Sequence, residues 1–188
     1  NPDCENWDSV SIAHIADVQY GFAFKSSEFN EKCEGRKIVR IRNVLEGDSG
    51  SYTTEQASDN YIVNNGDLLV GMDGEFHIGY WSGGEAYLVQ RVANFKTKSG
   101  FSNAFVKYVI SDPIQKLNKR GARTTVAHLS AKDIREIQFP FNEEVYESIS
   151  EVFHRINQQQ VHLLVQNRVL ADIRDSILPK LISAQIAV

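Results

Sequence analysis

The stretch NEEVYESISEVFHRINQQQVHLLVQNRVLADIRDSIL, residues 142–178, contains neither Gly nor Pro, and its reading decides how the chain is organised. Asn142 is a good N-cap, and Pro179 is expected to end the helix that Asn142 opens. A helix of ~36 residues is ~54 Å long. Ile149, Ile156, Leu163, Leu170 and Ile177 recur every seven residues, and Val152, Gln159, Gln166 and Ile173 stand three positions further on. That is the a/d seam of a coiled coil. Folding back onto its own domain would need an apolar groove as long as the helix, so a second helix from another chain is the expected cover. Gln159 and Gln166 weaken such a seam but set its register by pairing with polar groups across it.

Before Phe139-Pro140-Phe141 the pattern is short and mixed. Lys37 to Arg42 alternates, Asp67 to Met72 is a brief apolar run after an Asn65-Gly66 turn, and Phe76 to Trp81 and Arg91 to Phe95 are further strand candidates. Ser102 is placed to cap a helix over 103–110, which Asp112-Pro113 is expected to interrupt before 114–119 resume. Ser130-Ala131-Lys132-Asp133 has the form of a capping box. The fold class is therefore mixed α/β, with a β-rich domain over 1–141 followed by a long helix and tail over 142–188.

The 188 residues carry a net charge of -4, unevenly spread. From Asn1 to Glu85 there are 15 acidic against 6 basic residues, a balance of -9. Ala86 to His128 holds Arg91, Lys96, Lys98, Lys107, Lys116, Lys119, Arg120 and Arg123 against Asp112 alone, a balance of +7 and a candidate phosphate-facing surface. The bland alternative is that these cations are the solvated faces of a strand and a helix. No apolar run approaches the roughly 18 residues of a membrane span, and the N-terminus lacks the form of a signal peptide, so a cytoplasmic protein is expected. The chain lacks an initiator Met, which fits either processing or the C-terminal half of something longer. Cys4 and Cys33 have no CxxC or His company and read as incidental thiols.

Motifs of catalysis are missing. The sequence contains no GxxxxGK[ST] loop, no GxGxxG, no HExxH and no GxSxG. Asn1-Pro2-Asp3-Cys4 only loosely resembles an adenine methyltransferase motif and has no cofactor-binding glycine loop before it. Asp67, Asp73 and Glu75 read better as turn residues than as a magnesium cluster. His14, His77, His128, His154 and His162 show no ligand spacing. A protein that binds, with no cofactor and no metal, is expected.

Taken in order, the signals resemble the specificity subunits of type I restriction-modification systems. The matching stretches are Trp7 with Ile15 to Val18 and Gly21 to Ser26, then Ile38 to Val44, then Gly66 to Val70 with Met72-Asp73-Gly74. Gly121-Ala122 with Leu129-Ser130, the Pro140 boundary and Leu178 to Ser183 complete the set. The family has two target-recognition domains, each followed by a helix, the helices packing antiparallel as a spacer and as a platform for methyltransferase subunits; this chain has one of each, a half-length form. It departs after Pro140, where Phe141 and Tyr146 stand near positions usually held by a second Pro and a Gln.

The resemblance implies double-stranded DNA, methyltransferase subunits and a second half-subunit or second copy as partners. The expected dimerisation residues are Ile149, Val152, Ile156, Gln159, Leu163, Gln166, Leu170, Ile173 and Ile177. For DNA, Arg40 and Arg42 on one strand face, Arg91 on the next strand and Lys119, Arg120, Arg123, Thr124 and Thr125 in a loop can supply phosphate and base contacts. Lys25, His77 and Tyr80 join this set, Tyr80 and His77 with Trp81 as ring surfaces for backbone or a displaced base, core packing being the rival for Trp81. Two other function classes compete: a small DNA-modifying enzyme of unfamiliar motif, and a non-catalytic coiled-coil adaptor binding protein or sugar.

Overall fold

The computed structural model describes residues 7–121 and 127–183. In chain order its strands are β1 (Asp8–Ser11), β2 (Ala16–Tyr20), β3 (Phe29–Asn30), β4 (Arg36–Val39), β5 (Tyr52–Thr53) and β6 (Ile62–Val63). They continue as β7 (Leu68–Gly71), β8 (Ile78–Tyr80), β9 (Ala86–Leu88) and β10 (Val92–Thr97). Helix α1 (Asn103–Gly121), the short α2 (Ala131–Arg135), β11 (Gln138–Phe141) and α3 (Glu143–Ile182) follow. One sheet is antiparallel in the order β2-β10-β7-β8; a second, β3-β5-β4-β9-β6, is mixed, with β4 and β9 parallel. β1 pairs with β11, tying the start of the described chain to the entry of α3.

The Leu68-Leu69-Val70 run is apolar throughout because both of its faces are covered. Leu68 and Val70 pack with Phe105, Val106, Ile110 and Ile114 of α1, whereas Leu69 points the other way onto Trp81, Val39, Leu88 and Val92 between the two sheets. Trp81 is wholly buried and donates its indole N–H to the Gly84 carbonyl, so the core reading of Trp81 is the correct one.

Helix α1 is a single helix, not two pieces broken at Asp112-Pro113. Ser102 caps it, its Oγ accepting the Phe105 N–H at 3.3 Å. Pro113 sits inside, and Val109, Ile110 and Ile114 on either side of it are buried in one core. Burial of that continuous apolar face outweighs the roughly 3 kcal/mol that an interior Pro costs. The capping box at Ser130 forms as expected: its Oγ accepts the Asp133 N–H at 3.1 Å and its N–H donates to the Asp133 carboxylate at 2.8 Å. Those hydrogen bonds hold the Asp133 carboxyl below the usual carboxylate range.

Helix α3 has 40 residues, about 60 Å. Asn142 caps it through the Val145 N–H at 3.0 Å. Pro179 lies within the helix rather than ending it. The last turns are exposed, so the carbonyl that loses its partner to Pro179 faces water.

The expectation that α3 could not fold back is also corrected. Tyr146, Phe153, Val161, Leu164 and Arg168 form a second stripe that lies along the chain's own domain. Phe153 meets Phe105 edge-on at 5.2 Å, and a Cβ on Gly66 would come within 3.1 Å of Val161. Gly66 also has φ +93°, so both its turn and its closeness to α3 need glycine. Asp48 binds Lys37 at 2.6 Å and also the Arg168 guanidinium. The groove is thus assembled from α1, the Gly66 turn and the Asp48 loop, none of them adjacent in sequence. Phe141 and Tyr146, the departures from the family pattern, pack with Phe101 and Phe105 at the helix entry.

Candidate DNA interface

Arg40 and Arg42 do not share a strand face. β4 stops at Val39, and Ile41–Asn43 is a turn of 3-10 helix. Asn43, buried, accepts the Arg40 N–H through its side chain at 3.1 Å, while its own N–H donates to the Arg40 carbonyl at 2.9 Å. The turn swings both arginines into a cleft of about 620 Å³ lined also by His77, Gln90 and Arg91. Arg40 lies over the Phe29 ring at 5.5 Å, and Arg42 donates to the Ser51 hydroxyl at 3.3 Å. His77 faces the Glu75 carboxylate at 3.5 Å, which puts one acidic wall in the cleft.

Arg91 is likewise not in a strand: it has φ +75° and closes the turn between β9 and β10. Three bonds hold that turn. The Gln90 N–H donates to Phe22 at 2.8 Å, the Arg91 carbonyl accepts from Met72 at 2.9 Å, and the Val92 N–H reaches Val89 at 3.1 Å. Arg91 also meets Asp73 at 3.4 Å, and His128 meets the same carboxylate at 2.5 Å. Asp73 and His128 form a bridge that ties the segment returning from α1 to the rim of the cleft. A strained backbone so tightly held presents its side chains rigidly.

Other expectations fail. Tyr80 is buried with its hydroxyl unpartnered, and burial pushes its pKa up to about 12. Its ring carries the Lys107 ammonium at 4.6 Å, so neither group is free to meet DNA as a ring platform or a phosphate clamp. Tyr80→Phe removes a buried hydroxyl that has no partner, and is expected to raise stability by about 1 kcal/mol. A rise in melting temperature of roughly 2–4 °C with unchanged DNA affinity is the result to look for; lost DNA affinity would restore Tyr80 to the site. The described cations of the +7 segment do not form one surface either: Lys98 pairs with Asp17, Lys116 with Asp112, and among them only Arg91 lines the cleft. A strand, a turn and a helix point side chains close in sequence to different faces.

Lys25 is exposed, its N–H bound by Glu55 at 2.7 Å, and does not line the cleft although its neighbour Phe24 does. Lys119 is exposed near the end of α1. Arg123, Thr124, Thr125 and the side chain of Arg120 lie outside the described residues. Sequence reasoning missed Gln90 and Asp73 as partners of these cations; a Gln before an Arg at a strand boundary carries no distinctive signal. Among the described residues no cluster of His, Cys, Asp and Glu could hold a metal ion, and no helix is long and apolar enough to cross a membrane.

The type I restriction modification DNA specificity domain family matches residues 4–164. The chain belongs to this family. This specificity domain is 34% identical over 137 residues to the type I restriction enzyme EcoBI specificity subunit of Escherichia coli, covering 72% of this chain and 29% of that one. Among solved structures it is similar to the HsdS subunit from Thermoanaerobacter tengcongensis, with TM-score 0.59 and 16% identity over 94% of this chain and 44% of that one. The S subunit of a type I system from M. genitalium has TM-score 0.56 and 13% identity, over 98% and 48% of the two chains. The specificity domain described here thus spans under a third of the curated relative and about half of each solved subunit. At these identities the solved structures speak to the fold: a β-rich mixed α/β domain carrying a long helix.

Proposed function

We propose that this chain is a non-catalytic DNA-reading half of a type I specificity subunit, which binds one segment of a bipartite duplex target and brings it to methyltransferase subunits. The observation that carries the reading is the convergence of Arg40, Arg42, His77, Gln90 and Arg91 on one cleft. Guanidinium forks suit phosphate oxygens and guanine edges, and a neutral Gln amide suits adenine, offering donor and acceptor together. The methyltransferase partner and a cytoplasmic location rest on the family resemblance. The exposed seam of α3 supports pairing with a second copy or a second half-subunit, which places two reading domains at opposite ends of a helical spacer.

The test is binding to selected and random duplexes across a salt series, with a methyltransferase subunit present. Arg40→Ala is expected to weaken binding to all sequences alike and to lower the salt slope by about 0.9 per lost phosphate contact. Gln90→Ala is expected to cost about 1–3 kcal/mol at a single base position and to leave random-duplex binding unchanged. If neither substitution alters affinity, preference or slope, DNA does not enter this cleft. Methyl transfer from S-adenosylmethionine by the isolated chain would favour the enzyme reading instead.

A further inference from the structure

The cleft that gathers Arg40, Arg42 and Arg91 also contains a carboxylate, that of Glu75. A site built only to hold phosphates has no use for one, because like charges repel. Nor is Glu75 spent on neutralising the cations around it. Among the described residues its ion-pair partner is His77, at 3.5 Å, whereas Arg91 is met by Asp73 at 3.4 Å. The Glu75 side chain is 77% exposed, so its oxygens are open to an incoming donor.

The backbone that carries Glu75 is nevertheless firmly held. It is the turn over residues 72–77 between β7 and β8, with Gly74 at φ +73°. On one side the Met72 N–H donates to the Arg91 carbonyl at 2.9 Å. On the other the Gly74 N–H donates to the Ala127 carbonyl at 3.0 Å, and the Met72 carbonyl accepts the Leu129 N–H at 2.8 Å. Within the turn the His77 N–H donates to the Glu75 carbonyl, and the Gly71 N–H to the His77 carbonyl, both at 2.9 Å. The turns that bear Glu75 and Arg91 are thus bonded to each other, and they present an acceptor and a donor fork from one unit. Base edges are read by groups held in this way.

We propose that Glu75 is a specificity-determining residue, which accepts the exocyclic amine of a cytosine in the major groove while an arginine of the same cleft holds the guanine paired with it. This rests on the proposed entry of DNA into the cleft and names a base pair read there.

The chemistry of the two base pairs decides for cytosine. Across the major groove a G·C pair presents two acceptors, guanine N7 and O6, and then the cytosine amine at the outer end. A guanidinium fork covers the acceptors, and a carboxylate, which only accepts, covers the amine. The adenine amine stands instead between two acceptors, adenine N7 and thymine O4. Both repel a carboxylate, and the neutral amide of Gln90 suits that edge better. Glu75 therefore adds discrimination at a cost in general affinity, because it turns phosphates away from its wall of the cleft.

The experiment measures binding of the parent chain, Glu75→Ala and Glu75→Gln, with a methyltransferase subunit present, to a duplex selected from random sequence. Each cytosine of that duplex is replaced in turn by pyrimidin-2-one, which keeps the ring and lacks the amine. The parent is expected to lose about tenfold in affinity or more at one cytosine. Glu75→Ala is expected to bind the two duplexes of that comparison alike, and Glu75→Gln, which retains one acceptor oxygen, to keep part of the preference. Any weakening of the base pair by the analogue is common to all three proteins and cancels between them. Random duplexes are expected to bind Glu75→Ala more tightly than the parent, since a repelling charge is gone, whereas a damaged fold would weaken them. If Arg40→Ala weakens binding but the parent and Glu75→Ala respond alike to every analogue, Glu75 reads no base and DNA entry into the cleft stands. A differing response at an adenine replaced by purine, and at no cytosine, overturns the cytosine assignment. If Arg40→Ala binds as the parent does, the cleft itself fails as the DNA site and this inference with it.

Discussion

An Ile156→Asp, Leu163→Asp double variant is expected to sediment as a monomer at concentrations where the parent chain is a dimer. In the single chain Ile156 is 40% exposed and Leu163 55%, and both lie on the stripe of α3 that faces away from its own domain. Asp at either position therefore stays hydrated in the monomer and shifts folding stability by about 0.5 kcal/mol or less. In the proposed pair the same positions would close against apolar side chains, so the two substitutions would bring four carboxylates into one seam. Each buried, unpaired charge costs several kcal/mol, enough to weaken association by about a thousandfold or more. Sedimentation reads the association and thermal denaturation checks the fold. An unaltered dimer means that the copies meet through another surface.

Asp48→Ala is expected to destabilise the folded chain by about 3 kcal/mol, because it strands a cation that the fold has largely removed from water. The Lys37 and Asp48 side chains are 17% and 13% exposed, and Asp48 binds Arg168 of α3 as well. Without the carboxylate, Lys37 keeps, among the described residues, only the Gly83 carbonyl at 3.1 Å. Arg168 is more exposed and retains Asp172 at 3.4 Å, so Arg168→Ala alone should cost about 1 kcal/mol or less. Adding Lys37→Met to Asp48→Ala removes the stranded charge and is expected to recover part of the loss, which thermal melts of the three variants will show. If the Asp48→Ala melt matches the parent, the ion pair does not hold the helix to the domain.

Local chemistry was legible from the residues. Asn142, Ser102 and Ser130 cap helices because a side-chain oxygen beside unpaired N–H groups acts within four residues and needs nothing from the rest of the chain. The seven-residue recurrence of Ile149 to Ile177 was equally plain, since side chains at that spacing share a face of any helix. The order of weak signals from Trp7 to Ser183 pointed to the family before any contact was known. The two prolines misled, because a breaker is judged by the local bond it removes and not by the burial that carries α1 across Pro113 or the solvent that accepts α3's freed carbonyl near Pro179.

The candidate site depended on tertiary structure more heavily. Arg40 and Arg42 looked like alternate residues of a strand, yet the strand ends at Val39 and Asn43 folds them into a turn. Tyr80 looked available and is sealed against Lys107, while the unremarkable Gln90 is brought to the cleft by its own N–H bond to the Phe22 carbonyl and by the Met72 N–H bond to the carbonyl of its neighbour Arg91. The second stripe of α3 was invisible for the same reason: Phe153, Val161 and Arg168 acquire meaning only when Phe105, Gly66 and Asp48 come together behind them. Sequence by itself determined what each segment prefers within a few turns of chain, and with that the helix, its seam and its caps. Which face is buried and which cations converge was decided by contacts between residues far apart in the chain, whose energies appear only once the sheets have closed.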